Sequence, residues 1–169
     1  MKWIAISGSW KVVNEEIKND VESAVRKIIK NGHGIVTGGA LGVDYIATQL
    51  VLEEGDVKKL KIFLPIKLER LAEHFRKRAK EGVVTGAQAE MIIKQWKTVK
   101  KLSPSSISDK TRYTKANEES YYARHTSIIK ESDELYAFQV NESKGVQDAV
   151  DKARKTGKKV VLKKYSIKA

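Results

Sequence analysis

The sequence predicts an α/β protein: a mostly parallel sheet of about five strands in the order 3-2-1-4-5, with helices on both faces. Three observations predict it. Short apolar, β-branched runs alternate along the chain with segments whose apolar residues recur at helical spacing. The runs are continuously apolar, as strands covered on both faces must be. Small turn residues follow the runs, Ser7-Gly8-Ser9 after the first and Gly38-Gly39 after the second.

Lys2-Trp3-Ile4-Ala5-Ile6 reads as the first strand. Asn14 offers an N-cap to a helix with Glu15 and Glu16 in its positive first turn; it buries Ile17, Val21, Ala24, Val25 and Ile28 and stops at Asn31-Gly32. Gly34 to Thr37 is the second strand, and Val43 to Glu54 a helix with Val43, Ile46, Ala47, Leu50 and Val51 inward. Lys61 to Leu64 is the third strand, closed by Pro65 and followed by an amphipathic helix with Leu68, Leu71, Ala72, Phe75 and Ala79 on one side. Ala87 to Val99 has helical spacing around Met91, Ile92 and Trp96. Lys100 to Lys115 is polar, carries Ser103-Pro104-Ser105-Ser106, and is expected to be a loop or mobile flap. A helix from about Asn117 to Glu131, a strand from Glu134 to Val140, a helix from Gly145 to Thr156 and a strand from Lys159 to Lys163 complete the alternation. The chain thus reads as one domain over 1–169, with a basic helical and loop insertion at about 66–116.

Composition narrows the chemistry. At 169 residues and 41% hydrophobic content, one core is filled and little remains for a second. No apolar stretch approaches the roughly 20 residues of a membrane span, and the opening run turns polar at Ser7, so a soluble, cytoplasmic protein without a membrane partner is expected. The lack of cysteine excludes disulfides, thiol nucleophiles and thiolate zinc sites, and three scattered histidines make a poor metal site, so no metal or cofactor is expected. The 33 basic against 21 acidic residues give a net charge of +12, which suits an anionic partner. Residues 67–115 hold 13 of the basic and 5 of the acidic residues.

In an open parallel sheet a ligand sits beyond the carboxyl ends of the strands, where the winding reverses. Three small-residue loops converge there: 7–10, 37–42 and 141–145. Their glycines let backbone amides approach an anion, and the helices that follow aim their positive ends at the same place. A phosphate or phosphoribosyl group is the expected guest, held by Gly8, Ser9, Trp10, Thr37, Gly38, Gly39, Ala40, Gly42, Ser143, Lys144 and Gly145. No G-x-G-x-x-G or Walker A sequence occurs, which excludes ordinary dinucleotide and P-loop sites. Asp44 and Glu142 are the candidate catalytic carboxylates; Asp44 alternatively serves its helix N-terminus or a ribose hydroxyl. Trp10, Tyr121 and Tyr122 either stack a base or pack the rim, His125 reads as a hydrogen-bonding core or helix residue with a general base as the alternative, and His33 and His74 read as structural or solvated.

Ile4-Ala5-Ile6-Ser7-Gly8-Ser9, Thr37-Gly38-Gly39-Ala40-Leu41-Gly42-Val43-Asp44, Arg124-His125 with Ile128-Ile129, and Ser143-Lys144-Gly145 together resemble the SLOG superfamily. That group contains the Smf/DprA DNA-processing proteins and the LOG phosphoribohydrolases. The resemblance spans most of the chain outside about 66–116 and implies a Rossmann-like three-layer sandwich with a nucleotide or nucleic-acid phosphate site, to which Arg124 contributes charge unless it forms a surface ion pair with Glu118 or Glu119. The arginine that usually ends the first loop is Trp10 here, and the double glycine and glutamate of the LOG enzymes are absent around Ser143-Lys144-Gly145. The small, DprA-like branch fits better. A nucleotide- or nucleic-acid-binding protein is the first expectation, and a nucleotide hydrolase the alternative.

Two further expectations concern surfaces. Arg76, Lys77, Arg78, Lys100, Lys101 and Arg112 are expected either to form a nucleic-acid patch separate from the crevice, with Trp96 or Tyr113 available to stack on a single strand, or to be a solvated face or one that covers a partner subunit. The apolar sides of 68–79 and 87–99 exceed what one small sheet needs, from which a homodimer is expected.

Overall fold

In the computed structural model, which describes residues 1–168, six parallel strands form one sheet. The elements run β1 (Trp3–Gly8), α1 (Glu15–Lys30), β2 (Gly34–Thr37), α2 (Val43–Glu54), β3 (Leu60–Phe63), α3 (Leu68–Lys80), α4 (Gly86–Leu102), β4 (Ile107–Ser108), α5 (Glu118–Lys130), β5 (Glu134–Val140), α6 (Lys144–Lys155) and β6 (Lys159–Tyr165). The sheet order is β4-β3-β2-β1-β5-β6. The order expected from sequence is present, with one strand added at the β3 edge.

Strand alternation divides the core. Ile4, Ile6, Ile35 and Ile62 face the layer that holds α1 and α2, where they pack with Ile17, Val21, Val25 and Leu50. Ala5, Val36, Leu135 and Ala137 face the other layer and meet Ile128 and Ile129 of α5 and Val146 and Val150 of α6. Register matches this division: Ile4 lies beside Ile35 and Ala5 beside Val36. Helix starts are fixed locally. The Asn14 side chain accepts a hydrogen bond from the Ile17 amide at 2.9 Å, and Thr85/Gln88 and Asn117/Ser120 form reciprocal capping boxes on α4 and α5.

The stretch expected to be a mobile flap is instead a strap. Ile107 pairs with Ile62 and Ser108 with Phe63, the Ser108 carbonyl accepts from the Leu64 amide at 2.9 Å, and Asp109 Oδ2 accepts from the Leu68 amide at 2.9 Å. The Thr111 hydroxyl donates to the Pro65 carbonyl at 3.1 Å. A strand of two residues is too short to leave a periodic signal, so its polar surroundings dominate the reading.

The insertion also consumes its own apolar surface. Leu68, Leu71 and Ala72 of α3 and Ala89, Ile92, Ile93, Trp96 and Val99 of α4 are buried in the same core cluster as β1, β2 and β3. The apolar faces from which a homodimer was expected are therefore covered within the chain. Among the described residues, no helix is long and apolar enough to cross a membrane.

The turn after β5 is strained. Asn141 and Glu142 both have positive φ, 48° and 56°, and the Ser143 amide donates to the Val140 carbonyl across them at 3.1 Å. Asn141 tolerates this conformation and pairs its side chain with the Ile167 backbone at 2.8 and 2.9 Å. Glu142 is exposed and gains nothing comparable. A left-handed non-glycine residue costs roughly 1–2 kcal/mol, against roughly 0.5–1 kcal/mol for the extra chain entropy of glycine. Glu142→Gly is therefore expected to raise the melting temperature by roughly 2 °C, which thermal denaturation followed by circular dichroism measures.

Candidate functional site

A cleft of about 370 Å³ opens at the carboxyl ends of β1, β2 and β5. Its floor comes from Gly8, Gly38 to Leu41 and Asp44, one side from α5 and the start of α6, and the other side from α3 and the turn into α4. The insertion thus builds a wall of the crevice and does not stand apart from it.

The floor loop is held from inside. The Gly38 and Ala40 amides both donate to Asp44 Oδ2 at 3.2 Å, and the Gly39 amide donates to the Thr37 hydroxyl at 3.2 Å. These three amides were expected to cradle an anion; they are occupied within the protein, because a carboxylate one helical turn ahead offers a closer partner. The loop also touches the first loop. A Cβ at Gly42, whose φ is 76°, would strike the Ser9 carbonyl and lie 2.7 Å from the Trp10 Cα. The Ser9 carbonyl accepts from the Val43 amide at 3.0 Å, and its hydroxyl accepts from the Val12 amide at 3.1 Å. Ser9 and Thr37 therefore brace the loops and present nothing to the cleft.

Asp44 is 6% exposed, its Oδ1 has no hydrogen-bond partner among the described residues, and burial pushes its pKa up to about 6 against the opposing pull of Arg124 and the two amides. Arg124 lies across from it. Its guanidinium is packed between Gly38, where a Cβ would come within 2.8 Å of the Arg124 Cζ, and the Tyr121 ring, whose centroid is 5.0 Å from that carbon. One terminal nitrogen donates to the Gly38 carbonyl at 2.9 Å, while the buried Nε has no partner among the described residues. Arg124 makes no ion pair with Glu118 or Glu119. Burial lowers its pKa and Asp44 restores part of it, which leaves a charged group on a largely apolar floor.

Beside Arg124, His125 is 9% exposed and lines the cleft near Gly145. Its Nδ1 lies 2.9 Å from Asp148 Oδ2, which also forms an ion pair with Lys152 at 2.9 Å. Lys152 is anchored in turn on the Tyr122 carbonyl at 2.7 Å.

The remaining candidates are scattered. Trp10, Ser143 and Gly145 line the cleft, whereas Lys144 and Glu142 are exposed outside its lining. Arg78, assigned from sequence to the separate patch, lines the cleft and pairs with Glu81 at 3.0 Å. Arg76 pairs with Glu90 at 2.8 Å and shares an outer groove with Lys101, Lys94 and Lys97. Lys77 is exposed, Lys100 pairs with Glu69 at 3.6 Å, and Arg112 lies over its neighbour Tyr113. Trp96 cannot stack on a nucleic acid: it is fully buried, and its indole nitrogen donates to the Gly39 carbonyl at 2.8 Å. Sequence reasoning missed His74, Phe75, Val83 and Val84 as wall residues. The available signal was that an amphipathic segment directly after the third strand emerges at the cleft end of the sheet.

These features define a three-layer α/β protein of the Rossmann-like class, with its cleft where the winding reverses. No family model matches the chain, and no curated protein matches it. Solved structures place the fold more closely. The chain is similar to DNA processing protein A of Helicobacter pylori, described for its single-stranded DNA binding mode, with 22% identity and a TM-score of 0.67 over 95% of this chain and 64% of that one. It is also similar to DNA processing protein A of Streptococcus pneumoniae, with 16% identity and a TM-score of 0.53 over 95% of this chain and 58% of that one. A structural-genomics target, TM1055, matches with 18% identity and a TM-score of 0.56 over 95% of this chain and 72% of that one. The fold is therefore DprA-like, and the chain spans about 60% of the length of the two DNA-processing proteins.

Proposed function

We propose that the cleft binds one nucleotide unit, either a free nucleotide or one residue of a single strand, with its phosphate on Arg124 and Arg78. The observation that carries this reading is the Arg124 guanidinium, fixed between Gly38 and Tyr121 with only one terminal nitrogen committed to a protein acceptor, inside a largely apolar cleft of nucleotide size. A guanidinium offers a phosphate paired donors in fixed geometry, so side-chain charge takes the part expected of the glycine amides. Phe75, Val83, Trp10 and Tyr121 supply apolar and aromatic surface for a base. The likeness to a protein described for binding single-stranded DNA supports the choice of ligand class.

Isothermal titration with nucleoside 5′-monophosphates and with a short oligodeoxynucleotide tests this. Arg124→Ala is expected to weaken binding by roughly ten- to a hundredfold, the worth of a charged hydrogen-bond pair. Unchanged affinity overturns the reading. If a strand is the ligand and four of its phosphates are contacted, log K falls against log salt with a slope near about −3, from roughly −0.7 per contact; a free nucleotide shows a far shallower slope.

A second reading rests on Asp44, a buried carboxyl with a raised pKa and a free oxygen at the cleft floor. It would position water for cleavage of an N-glycosidic bond. Release of free base from a nucleoside monophosphate, lost in Asp44→Asn, would favour this hydrolase over simple binding.

A further inference from the structure

His125 lines the cleft but has no part in holding the phosphate. Its Nδ1 is 2.9 Å from Asp148 Oδ2, and the Lys152 ammonium forms an ion pair with the same oxygen at 2.9 Å. A carboxylate oxygen only accepts, so the Nδ1 of His125 must carry the proton. In a neutral imidazole that leaves Nε2 as a bare lone pair. Nε2 finds no donor in the protein among the described residues, and the ring lines the cleft. Burial and the Arg124 charge hold the His125 pKa down to about 4 against the pull of Asp148, so the ring stays neutral at physiological pH. The ring cannot easily turn, because Asp148 holds one edge, Tyr122 lies 5.7 Å away between centroids, and Lys152 ties Asp148 to the backbone of α5.

We propose that His125 Nε2 is a fixed hydrogen-bond acceptor which makes the cleft select ligands that present a neutral donor, a hydroxyl or an amine, next to their phosphate-binding end. The inference rests on the functional reading given above and adds a division of the cleft. Arg124 takes the anion, and the lone pair of its neighbour repels a second anion while pairing with an O–H or N–H. A ligand that lacks the donor leaves that lone pair dry and unpaired, a penalty that discriminates more sharply than a missing apolar contact.

A nucleotide carries two sources of such a donor, the sugar hydroxyls and the exocyclic amine of the base, and analogues separate them. Titrations would compare adenosine 5′-monophosphate, its 2′,3′-dideoxy counterpart and purine riboside 5′-monophosphate, which lacks the amine. One of the two analogues should bind at least tenfold more weakly than the parent. In His125→Phe, which keeps a flat ring and removes the acceptor, that difference should shrink to within about twofold. Loss with the dideoxy compound assigns the donor to the sugar, and loss with the riboside assigns it to the base. Equal binding of all three, or a discrimination that survives in His125→Phe, overturns the inference and leaves nucleotide binding standing. Failure of all three to bind overturns this inference, and failure of the short oligodeoxynucleotide as well overturns the functional reading with it. Nitrogen-15 NMR of the ligand-free protein gives an independent reading: protonated Nδ1 and bare Nε2 are expected at neutral pH, and the opposite tautomer or a charged ring overturns the proposal.

Discussion

Trp96→Ala is expected to cost about 4 kcal/mol of stability, typical of removing a fully buried aromatic side chain, and to impair ligand binding at the same time. Trp96 is 0% exposed and lies edge-on to Phe75 with 5.2 Å between centroids. Its indole donates to the Gly39 carbonyl at 2.8 Å, so truncation leaves both a void between the insertion and the sheet and an unpaired carbonyl in the floor loop. A domain of ordinary stability, roughly 5–15 kcal/mol, would survive but melt well below the wild type. Trp96→Phe keeps most of the volume and loses the hydrogen bond, so it should weaken ligand affinity more than its smaller loss of stability would suggest. Urea titration alongside ligand titration for the two variants checks this. A Trp96→Ala protein within 1 kcal/mol of the wild type would contradict the placement of α4 against the floor.

The second large effect concerns acidity. The Asp44 pKa is raised by burial to about 6, so between about pH 4 and 6 the native state holds a proton that the unfolded chain has released, and stability falls as pH rises through that window. The His125 pKa is lowered by burial to about 4, so between about pH 4 and 6.5 the unfolded chain holds the extra proton, and stability rises with pH. Each effect is worth about 3 kcal/mol at roughly 1.4 kcal/mol per pH unit. Their signs oppose, and in the wild type the two nearly cancel. Asp44→Asn removes one of them. The variant is expected to lose about 3 kcal/mol more than the wild type on going from pH 6.5 to pH 4. His125→Asn should show the reverse, with relative stability rising on acidification. Denaturant midpoints at several pH values decide it, and parallel profiles for the wild type and Asp44→Asn would refute the opposed titrations.

Much of the fold was legible because a parallel sheet writes itself into the chain as continuous apolar runs, and β1, β2, β3, β5 and β6 each left one. The winding reversal followed, and with it the cleft end of the sheet and the loops 7–10, 37–42 and 141–145. Three things were not legible. Ile107-Ser108 is too short for periodicity, so β4 and its strap read as a polar loop. The direction of backbone donors is set by tertiary contacts, and nothing in Thr37-Gly38-Gly39-Ala40 reveals that Asp44 and Thr37 capture its amides. The charge of residues 67–115 was visible but its distribution was not, since neighbours such as Arg76 and Arg78 on one helix leave for an outer groove and for the cleft. His125 was read as structural because its partner Asp148 lies 23 positions away on another helix.

The strap across 107–111 carries a consequence for how such a cleft changes over time. The floor is written by residues near β1, β2 and α5, while the facing wall is written by an excursion between β3 and β4 whose two ends are stitched together at Leu64 and Ser108. The exposed turns of this excursion can change in length without disturbing the strand order, as long as Leu68, Leu71, Ile92 and Trp96 keep their places in the core. Preference for the base is then free to drift at wall residues such as Phe75 and Val83 while Arg124 stays fixed in another stretch of sequence, and an engineer could retarget the cleft by changing that wall between the same two anchor points and keeping Arg78.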